Sequence, residues 1–162
     1  MASLIKSYSI PSSSYFIIRS MASQLIEEQR RGAEIHKGHG VCRQHLVPLL
    51  KDLSLPEGIL PLEDIEEFGH NRVTGFVWLI QRKKKNHMFE KIKQLVSFAT
   101  EVTAFIEDRK LKKITGIKAR ELLIWLTVKQ VGVDEQSTEK VVLLTATGLS
   151  KSFPKSAFEP EP

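Results

Sequence analysis

Four residues of metal-binding types recur at every third position near the start of the chain. In order they are His36, His39, Cys42 and His45. Imidazole and thiolate groups are the ligands of tetrahedral zinc sites. Gly38 and Gly40, however, break the helix that would align these side chains, and the sequence has no paired Cys-x-x-Cys motif. We therefore interpret them as residues at a helix end and expect no metal ion and no cofactor.

Two other groups of residues have hydrolytic potential. Gly148-Leu149-Ser150 begins like the nucleophile elbow of an esterase, but Ser152 stands where that motif has its second glycine. The acidic residues between Glu63 and Glu67 could supply paired carboxylates. Charged positions at a strand edge are ordinarily solvated, so we assign no catalytic residue.

Half of the positive charge lies in one segment. Residues 82–120 hold 12 of the 24 Lys and Arg residues against four acids, a net charge of +8, and the remaining 12 basic and 15 acidic residues give −3. This asymmetry favours an anionic partner such as a phospholipid head group. The lysines predicted to bind that head group are Lys83, Lys84, Lys85, Lys110, Lys112 and Lys113. The alternative is that these lysines are solvated and only prevent pairing between sheet edges.

The two basic clusters would share one end of the sheet if the strands around them formed a simple meander. The strands in question are residues 73–80, 87–93, 97–106 and 111–117. In that arrangement the loop 82–86 and the turn 107–110 project in the same direction. Nucleic acid is not expected as a partner, because aromatic residues are only 7% of the chain and none is interleaved with the charge as a stacking motif.

Aromatic residues in the apolar strands are candidates for the lining of a cavity. A small barrel holds one small ligand if side chains do not fill its centre. The candidates are Phe76, Trp78, Phe98, Phe105 and Trp125. The simpler interpretation of Trp78 and Trp125 is that both belong to the core.

The elements that must position these residues change type near Pro61. From Ser23, a suitable N-cap, the apolar pattern is helical and extends to His36. A second amphipathic helix is predicted between Val41 and Leu53, kinked at Pro48 or starting there. Alternating apolar positions then predict strands in the segments 73–80, 97–106, 111–117, 121–131 and 140–145.

Strands that are apolar on both faces need cover on each side. We therefore predict one mainly β (α+β) domain over residues 21–160, a small antiparallel β-barrel or two-layer sheet with one or two N-terminal helices. Residues 1–20, rich in serine and free of acids, are treated as an extension, either disordered or weakly similar to a transit peptide. Cys42 is the only cysteine, which favours a reducing compartment. We expect a cytoplasmic protein, or a plastid one if residues 1–20 act as a transit peptide.

Five spaced blocks over residues 22–159 resemble a known family. They are Leu60-Pro61-Leu62-Glu63-Asp64, Thr74-Gly75-Phe76-Val77-Trp78-Leu79, Thr100-Glu101-Val102-Thr103-Ala104-Phe105, Leu111-Lys112-Lys113-Ile114-Thr115-Gly116-Ile117-Lys118 with Glu121-Leu122-Leu123, and Ser152-Phe153-Pro154-Lys155-Ser156-Ala157-Phe158. On these blocks the chain resembles the plant domain-of-unknown-function family 538. The resemblance implies a plant protein, a small antiparallel β-barrel with N-terminal helices, and expression linked to stress.

The resemblance also brings two proposed activities, which are lipid binding like that of the bactericidal/permeability-increasing proteins and chlorophyll hydrolysis. It implies no catalytic residues. Together with the charge pattern it predicts non-enzymatic binding of a lipid or small amphiphile at an anionic membrane surface. The alternatives are an esterase acting on a chlorophyll-type tetrapyrrole ester and an adaptor without a ligand.

Removal of residues 1–20 tests the predicted division of the chain. Because that segment shows neither apolar periodicity nor helix caps, we expect the shortened protein to keep the melting temperature of the full chain, measured by circular dichroism. A drop of several degrees would mean that the segment around Tyr15 packs on the domain.

Overall fold

A single antiparallel sheet dominates the computed structural model, which describes residues 22–160. The extension predicted at residues 1–20 lies outside that range. The strands, in chain order, are β1 (Glu34–Lys37), β2 (Ile65–Asn71), β3 (Phe76–Gln81), β4 (Lys85–Phe89), β5 (Gln94–Glu107), β6 (Lys110–Glu121), β7 (Ile124–Asp134), β8 (Ser137–Thr145) and β9 (Ser150–Pro154). Across the sheet their order is β1-β2-β3-β5-β6-β7-β8-β9, and β4 also pairs with β5.

Within the described residues both α-helices precede the long strands, as the sequence predicts. Helix α1 comprises residues 22–29 and helix α2 comprises His39–Asp52, with Pro48 inside it. Short 3₁₀ turns follow at Glu57–Ile59, Glu90–Ile92 and Lys155–Phe158. The predicted extension of the first helix to His36 is wrong, because residues 30–32 form a turn and β1 pairs with the edge of β2. The second helix starts at His39 and not at Pro48.

Strand β3 is apolar on both faces, and each face is covered. Val77 and Leu79 point into the main core, where Leu46 and Leu50 of α2 also lie. Phe76 and Trp78, at the alternate positions, point to the outer face and pack under Ile26 of α1, which is 2% exposed.

The predicted fold class is confirmed, since antiparallel strands with N-terminal helices make up the domain. Of the two architectures considered, the closed barrel is not formed within residues 22–160. There β1 and β9 are the two outer strands of the order and do not pair with each other. Phe158, in the 3₁₀ turn that follows β9, packs edge-on against Phe89 and completes the core beside the sheet.

Besides β1, two strands were not predicted from the sequence. Strand β2 contains the acidic residues Glu66 and Glu67, which hide its apolar alternation, and β9 is only five residues long. The predicted strand at 73–80 begins at Phe76, because Val73 and its neighbours form the β2–β3 turn.

Six of the connections between strands lie at the two ends of the sheet. The turns at 72–75, 108–109 and 135–136 lie at one end, which we call the β5–β6 end. The connections at 90–93, 122–123 and 146–149 lie at the other, which we call the β6–β7 end.

Replacement of Ile26 tests whether α1 is a structural cover. We expect Ile26→Ala to lower the free energy of unfolding in urea by about 2–5 kcal/mol, because it leaves a cavity between α1 and the ring of Trp78. The matched control is Gln24→Ala, an exposed position on the same helix, which should change stability little. Equal effects of the two substitutions would show that α1 covers nothing of consequence.

Candidate functional site

The loop between β3 and β4 is not a reversal of the chain. Phe76 to Ile80 of β3 pairs with Phe105 to Glu101 of β5, and Lys85 to Phe89 of β4 pairs with Phe98 to Gln94 of the same strand. Both strands are therefore antiparallel to β5 and lie in line with each other, with residues 82–84 bulging out between them. The prediction of a simple meander is wrong.

This geometry separates the two basic clusters. The 82–84 bulge lies opposite the middle of β5, whereas the 108–109 turn lies at its end. About seven residues of extended strand separate the two positions, which corresponds to about 25 Å at a rise of about 3.4 Å per residue. The six lysines predicted to bind one head group therefore do not come together.

Most of those six lysines are paired with carboxylates. Four lysines have their ammonium nitrogen within 4 Å of a carboxylate oxygen. The pairs are Lys85 with Glu63 at 2.7 Å, Lys110 with Glu135 at 2.9 Å, Lys112 with Asp108 at 2.6 Å and Lys113 with Glu107 at 3.8 Å. The hydrogen bond from Lys112 lowers the pKa of the Asp108 carboxyl. Lys83 and Lys84 are exposed and form no ion pair within residues 22–160. Head-group binding by these lysines stays a prediction.

The five aromatic candidates are distributed over three places. Phe76, Trp78 and Phe105 form the outer cluster under α1, and Phe98 lies in the main core. Trp125 is 36% exposed at the β6–β7 end, where the guanidinium carbon of Arg120 lies 5.4 Å from its ring centre. The five residues do not line a common cavity, because β3 separates the two clusters and Trp125 lies outside both.

The main core encloses a small apolar cavity between the sheet and Phe158. We call it the inner cavity. Its volume is about 40 Å³, and its lining includes Phe98, Ile114, Ile117 and Val128. Ligand pockets have volumes of about 300–1,000 Å³. The inner cavity is therefore too small for an acyl chain unless neighbouring side chains move.

A larger concavity lies on the surface beside the inner cavity, between β4 and the last 3₁₀ turn. We call it the outer groove. Its volume is about 370 Å³, and its lining includes Pro61, Met88, Phe89, Ala157 and Phe158. The rings of Phe89 and Phe158, 5.0 Å apart and edge-on, line both spaces and form the wall between them. The outer groove is thus a concavity of ligand size that borders the apolar interior.

Charged groups stand around the outer groove. Arg43 donates to the carbonyl of Leu60 at 3.2 Å and to the carboxylate of Glu57 at 3.5 Å, and Lys91 donates to the carbonyl of Ser156 at 3.1 Å. Both cations retain further donors, because a guanidinium has five N–H groups and an ammonium has three. Burial and the charge of Lys85 lower the pKa of His87, whose ring lies edge-on to Phe89. The groove therefore offers two cations, of which Arg43 is paired with Glu57, beside an imidazole and an apolar floor.

Sequence reasoning missed the role of Glu67, which it treated as solvated. The residue is 6% exposed, and its carboxylate accepts hydrogen bonds from Trp78 Nε1 at 2.7 Å and from Arg30 Nη2 at 2.8 Å. Burial by itself raises the pKa of the Glu67 carboxyl, but these two hydrogen bonds and the charges of Arg30 and Lys37 outweigh it, so the pKa is below its ordinary value. The role of Glu67 is structural, because its partners tie α1 to the sheet.

The metal-type residues near the start of the chain have separate contacts. The rings of His36 and His45 stack at 3.5 Å, Cys42 Sγ donates to the carbonyl of His36, and His39 Nδ1 accepts from the backbone N–H of Ile65. Within residues 22–160 no group of three or more His, Cys, Asp or Glu side chains is arranged to hold a metal ion.

The serine of the partial nucleophile elbow lies at the start of a strand. Ser150 is exposed and begins β9, paired with Leu144. A nucleophilic serine needs a base within hydrogen-bond reach. In the described part of the chain no hydrogen bond joins the Ser150 hydroxyl to such a base.

Comparison with known proteins identifies relatives but no activity. A family model described as "Protein of unknown function, DUF538" matches residues 46–159. An uncharacterized protein of Arabidopsis thaliana is 28% identical over 132 residues, which cover 77% of this chain and 69% of that protein. No solved structure matches the chain. In the described residues no helix is long and apolar enough to cross a membrane.

The lowered pKa of Glu67 gives a testable pH dependence. A carboxyl whose pKa is lower in the folded than in the unfolded protein stabilises the fold fully above its ordinary value of 4.5, and this contribution is lost as pH falls through the folded value. We therefore expect Glu67→Gln to be destabilising at neutral pH, with a difference from the unsubstituted protein that shrinks below pH 4.5. Urea unfolding across that range measures the difference. Glu139→Gln, at an exposed position, should show a negligible difference at every pH, and a Glu67→Gln difference that does not vary with pH would contradict the assignment.

Proposed function

The chain belongs to the DUF538 family of proteins of unknown function, and we propose that it binds a single-chain lipid or similar small amphiphile, without catalysis, in the outer groove. The observation that carries this proposal is the groove itself. It has the volume of a ligand pocket, a largely apolar lining and a wall of two aromatic rings that is shared with the apolar interior.

The lining supports an apolar chain as the main part of the ligand. Met88 is the flexible element of the groove, since an unbranched thioether side chain adapts to ligands of different shape. Rotation of the Phe158 ring away from Phe89 would join the groove to the inner cavity and lengthen the apolar path. The second void of the core, about 30 Å³ beneath α2, shares Ile114 and Ile117 with the inner cavity and would extend the same path.

The cations at the rim support a ligand with an anionic head group. Arg43 and Lys91 stand on the groove with donors to spare, and a carboxylate or phosphate would accept charge-assisted hydrogen bonds from them. Glu90 and Glu159 also line the rim, so the groove has no large excess of charge. Affinity would then come mainly from burial of the chain, and the head group would set its orientation.

We also propose that the protein acts in the cytoplasm, at an anionic membrane surface and in the stress response that the family resemblance implies. The support for the compartment is the single cysteine, Cys42, which is buried and free. A protein that binds membrane amphiphiles must meet the membrane that supplies them, and the excess of positive charge on the chain favours an anionic one.

Binding of dodecanoate, followed by native mass spectrometry and by titration calorimetry, tests the groove. We expect Met88→Trp to abolish binding, because the larger ring occupies the groove. The matched control is Lys129→Trp, which places the same ring on an exposed position of β7. Failure of the unsubstituted protein to bind dodecanoate, or unchanged binding by Met88→Trp, would contradict the proposal and favour an adaptor without a ligand.

A comparison of dodecanoate with dodecanol, which has the same chain but no carboxylate, tests the head-group contact. We expect the double substitution Arg43→Gln and Lys91→Gln to weaken dodecanoate binding by about tenfold and to leave dodecanol binding unchanged, because only the carboxylate uses the two charges. The control is the pair Lys129→Gln and Lys140→Gln, which removes the same charge from exposed positions away from the groove. Equal loss for both pairs would show that only the total charge matters.

A further inference from the structure

The hairpin between β6 and β7 exposes large apolar side chains at its turn. Leu122 and Leu123 form the turn and are 88% and 86% exposed, and Ile124 and Trp125 follow them with 59% and 36% exposure. Leu149, in the β8–β9 connection at the same end, is also exposed. A contiguous exposed apolar patch on a soluble domain marks a surface that contacts a protein or a membrane.

The turn residues are poor choices for folding alone. Leu122 has a φ of 56°, in the left-handed region that bulky residues adopt only at a cost in free energy. Two-residue hairpin turns ordinarily use Asn, Asp or Gly at such positions. Leucines at both positions of a strained, exposed turn therefore serve a purpose other than stability of the hairpin.

Side-chain chemistry along this hairpin changes in layers. The two leucines are outermost, and the next pairs inward are Glu121 with Ile124 and Arg120 with Trp125. Lys118 lies further back, opposite Thr127, about 10–13 Å from the turn at a rise of about 3.3 Å per residue. From the turn inward the hairpin thus presents the leucines, then Trp125 and Arg120 at one level behind the Glu121–Lys151 ion pair, and then Lys118. A bilayer likewise passes from hydrocarbon, through the interface where tryptophan is enriched, to the phosphates.

The charge of this end complements an anionic surface. Residues 90–93, 118–125 and 146–151 contain five basic and two acidic residues, a net charge of +3, and both acids are already paired, Glu90 with Lys93 and Glu121 with Lys151. At the β5–β6 end, residues 72–75, 107–113 and 134–137 contain five basic and four acidic residues, a net charge of +1. Among the described residues of those three segments, Val73 is the only large apolar side chain that is exposed.

We infer that the β6–β7 hairpin turn inserts into the interface of an anionic bilayer, with Leu122 and Leu123 in the acyl region and Arg120 and Lys118 at the phosphates. The inference rests on the membrane contact in the proposed function and names the element that makes it. The proposed membrane contact is thus made by this hairpin and not by Lys83, Lys84, Lys85, Lys110, Lys112 and Lys113. The outer groove includes Glu90 and Lys91 of the neighbouring connection, so insertion would bring the groove towards the bilayer.

The central variant for the test is the double substitution Leu122→Asn and Leu123→Ser. Asn tolerates the left-handed conformation, so the variant should fold at least as stably as the unsubstituted chain. We expect it to bind vesicles of equal parts phosphatidylcholine and phosphatidylserine about tenfold or more weakly in co-sedimentation. The control is Val73→Asn, which removes an apolar side chain of 93% exposure from the opposite end and should leave vesicle binding unchanged.

Tryptophan fluorescence reports where the protein enters the vesicle. Trp78 is 1% exposed, so a blue shift on vesicle addition must come from Trp125 and should disappear in Trp125→Phe.

The pair Lys118→Gln and Arg120→Gln should weaken vesicle binding and reduce its salt dependence, whereas Lys83→Gln with Lys84→Gln should leave both unchanged.

Three results would overturn the inference. They are unchanged vesicle binding by the double leucine variant, loss of binding only in the Lys83 and Lys84 variant, and a dimer in sedimentation velocity that the leucine substitutions dissociate while the unsubstituted protein binds no vesicles. Dodecanoate binding in the absence of vesicles separates this inference from the proposed function. The leucine variant should retain dodecanoate binding. The Met88→Trp variant should lose dodecanoate binding and still bind vesicles.

Discussion

The contact between Trp78 and Glu67 is the interaction on which the placement of α1 against the sheet depends. The indole ring lies flat over Gly69 of the neighbouring strand, where a Cβ atom would be 2.1 Å from the ring. Its N–H is bonded to the buried Glu67 carboxylate, and Arg30 bonds the same oxygen and lies over the ring. Because Arg30 follows directly on α1, this one cluster fixes the helix on the outer face of the sheet. The cost of burying a carboxylate is offset by two hydrogen bonds and a cation.

Helix α1 covers the outer face of the sheet, and the opposite face forms a long apolar core. Strand β5 is fourteen residues long and pairs with β3 and β4 on one side and with β6 on the other. Strand β6 follows it with irregular register around Gly116, which has a φ of 87°. A Cβ atom at this position would lie 2.3 Å from the carbonyl oxygen of Glu101, so a larger residue is excluded. Register irregularities of this kind bend a strand, and residues of both β5 and β6 contribute to the same core. Small voids remain, because a bent sheet, one helix and three 3₁₀ turns do not fill the space completely.

The two ends of the sheet differ in chemistry although both contain many lysines. At the β5–β6 end Lys110 and Lys112 lie at hydrogen-bond distance from carboxylates and Lys113 lies 3.8 Å from Glu107, so these charges are largely compensated locally. At the β6–β7 end Lys93 and Lys151 are paired with Glu90 and Glu121, but Lys91, Lys118 and Arg120 form no ion pair among the described residues, and exposed leucines stand in front of Lys118 and Arg120. A high density of Lys and Arg in the sequence therefore does not identify a binding surface, since the arrangement of acids around each cation decides the local potential. The proposed groove and the proposed insertion turn are near the same end, which is a coherent arrangement for a protein that would take an amphiphile from a membrane.

The sequence alone determined the family, the division into helices and strands near Pro61, and the need to cover both faces of β3. These properties depend on local periodicity and on blocks of residues that are contiguous in the chain. Only the tertiary structure decided that Glu67 is buried, that the Phe76 cluster and Phe98 lie on opposite faces, and that residues 82–84 are a bulge and not a reversal. Each of these depends on strand pairing between residues far apart in the chain, such as Lys85 with Phe98 and Glu67 with Ile80. The same periodicity is compatible with several registers, and the choice among them is made by packing that no local pattern encodes.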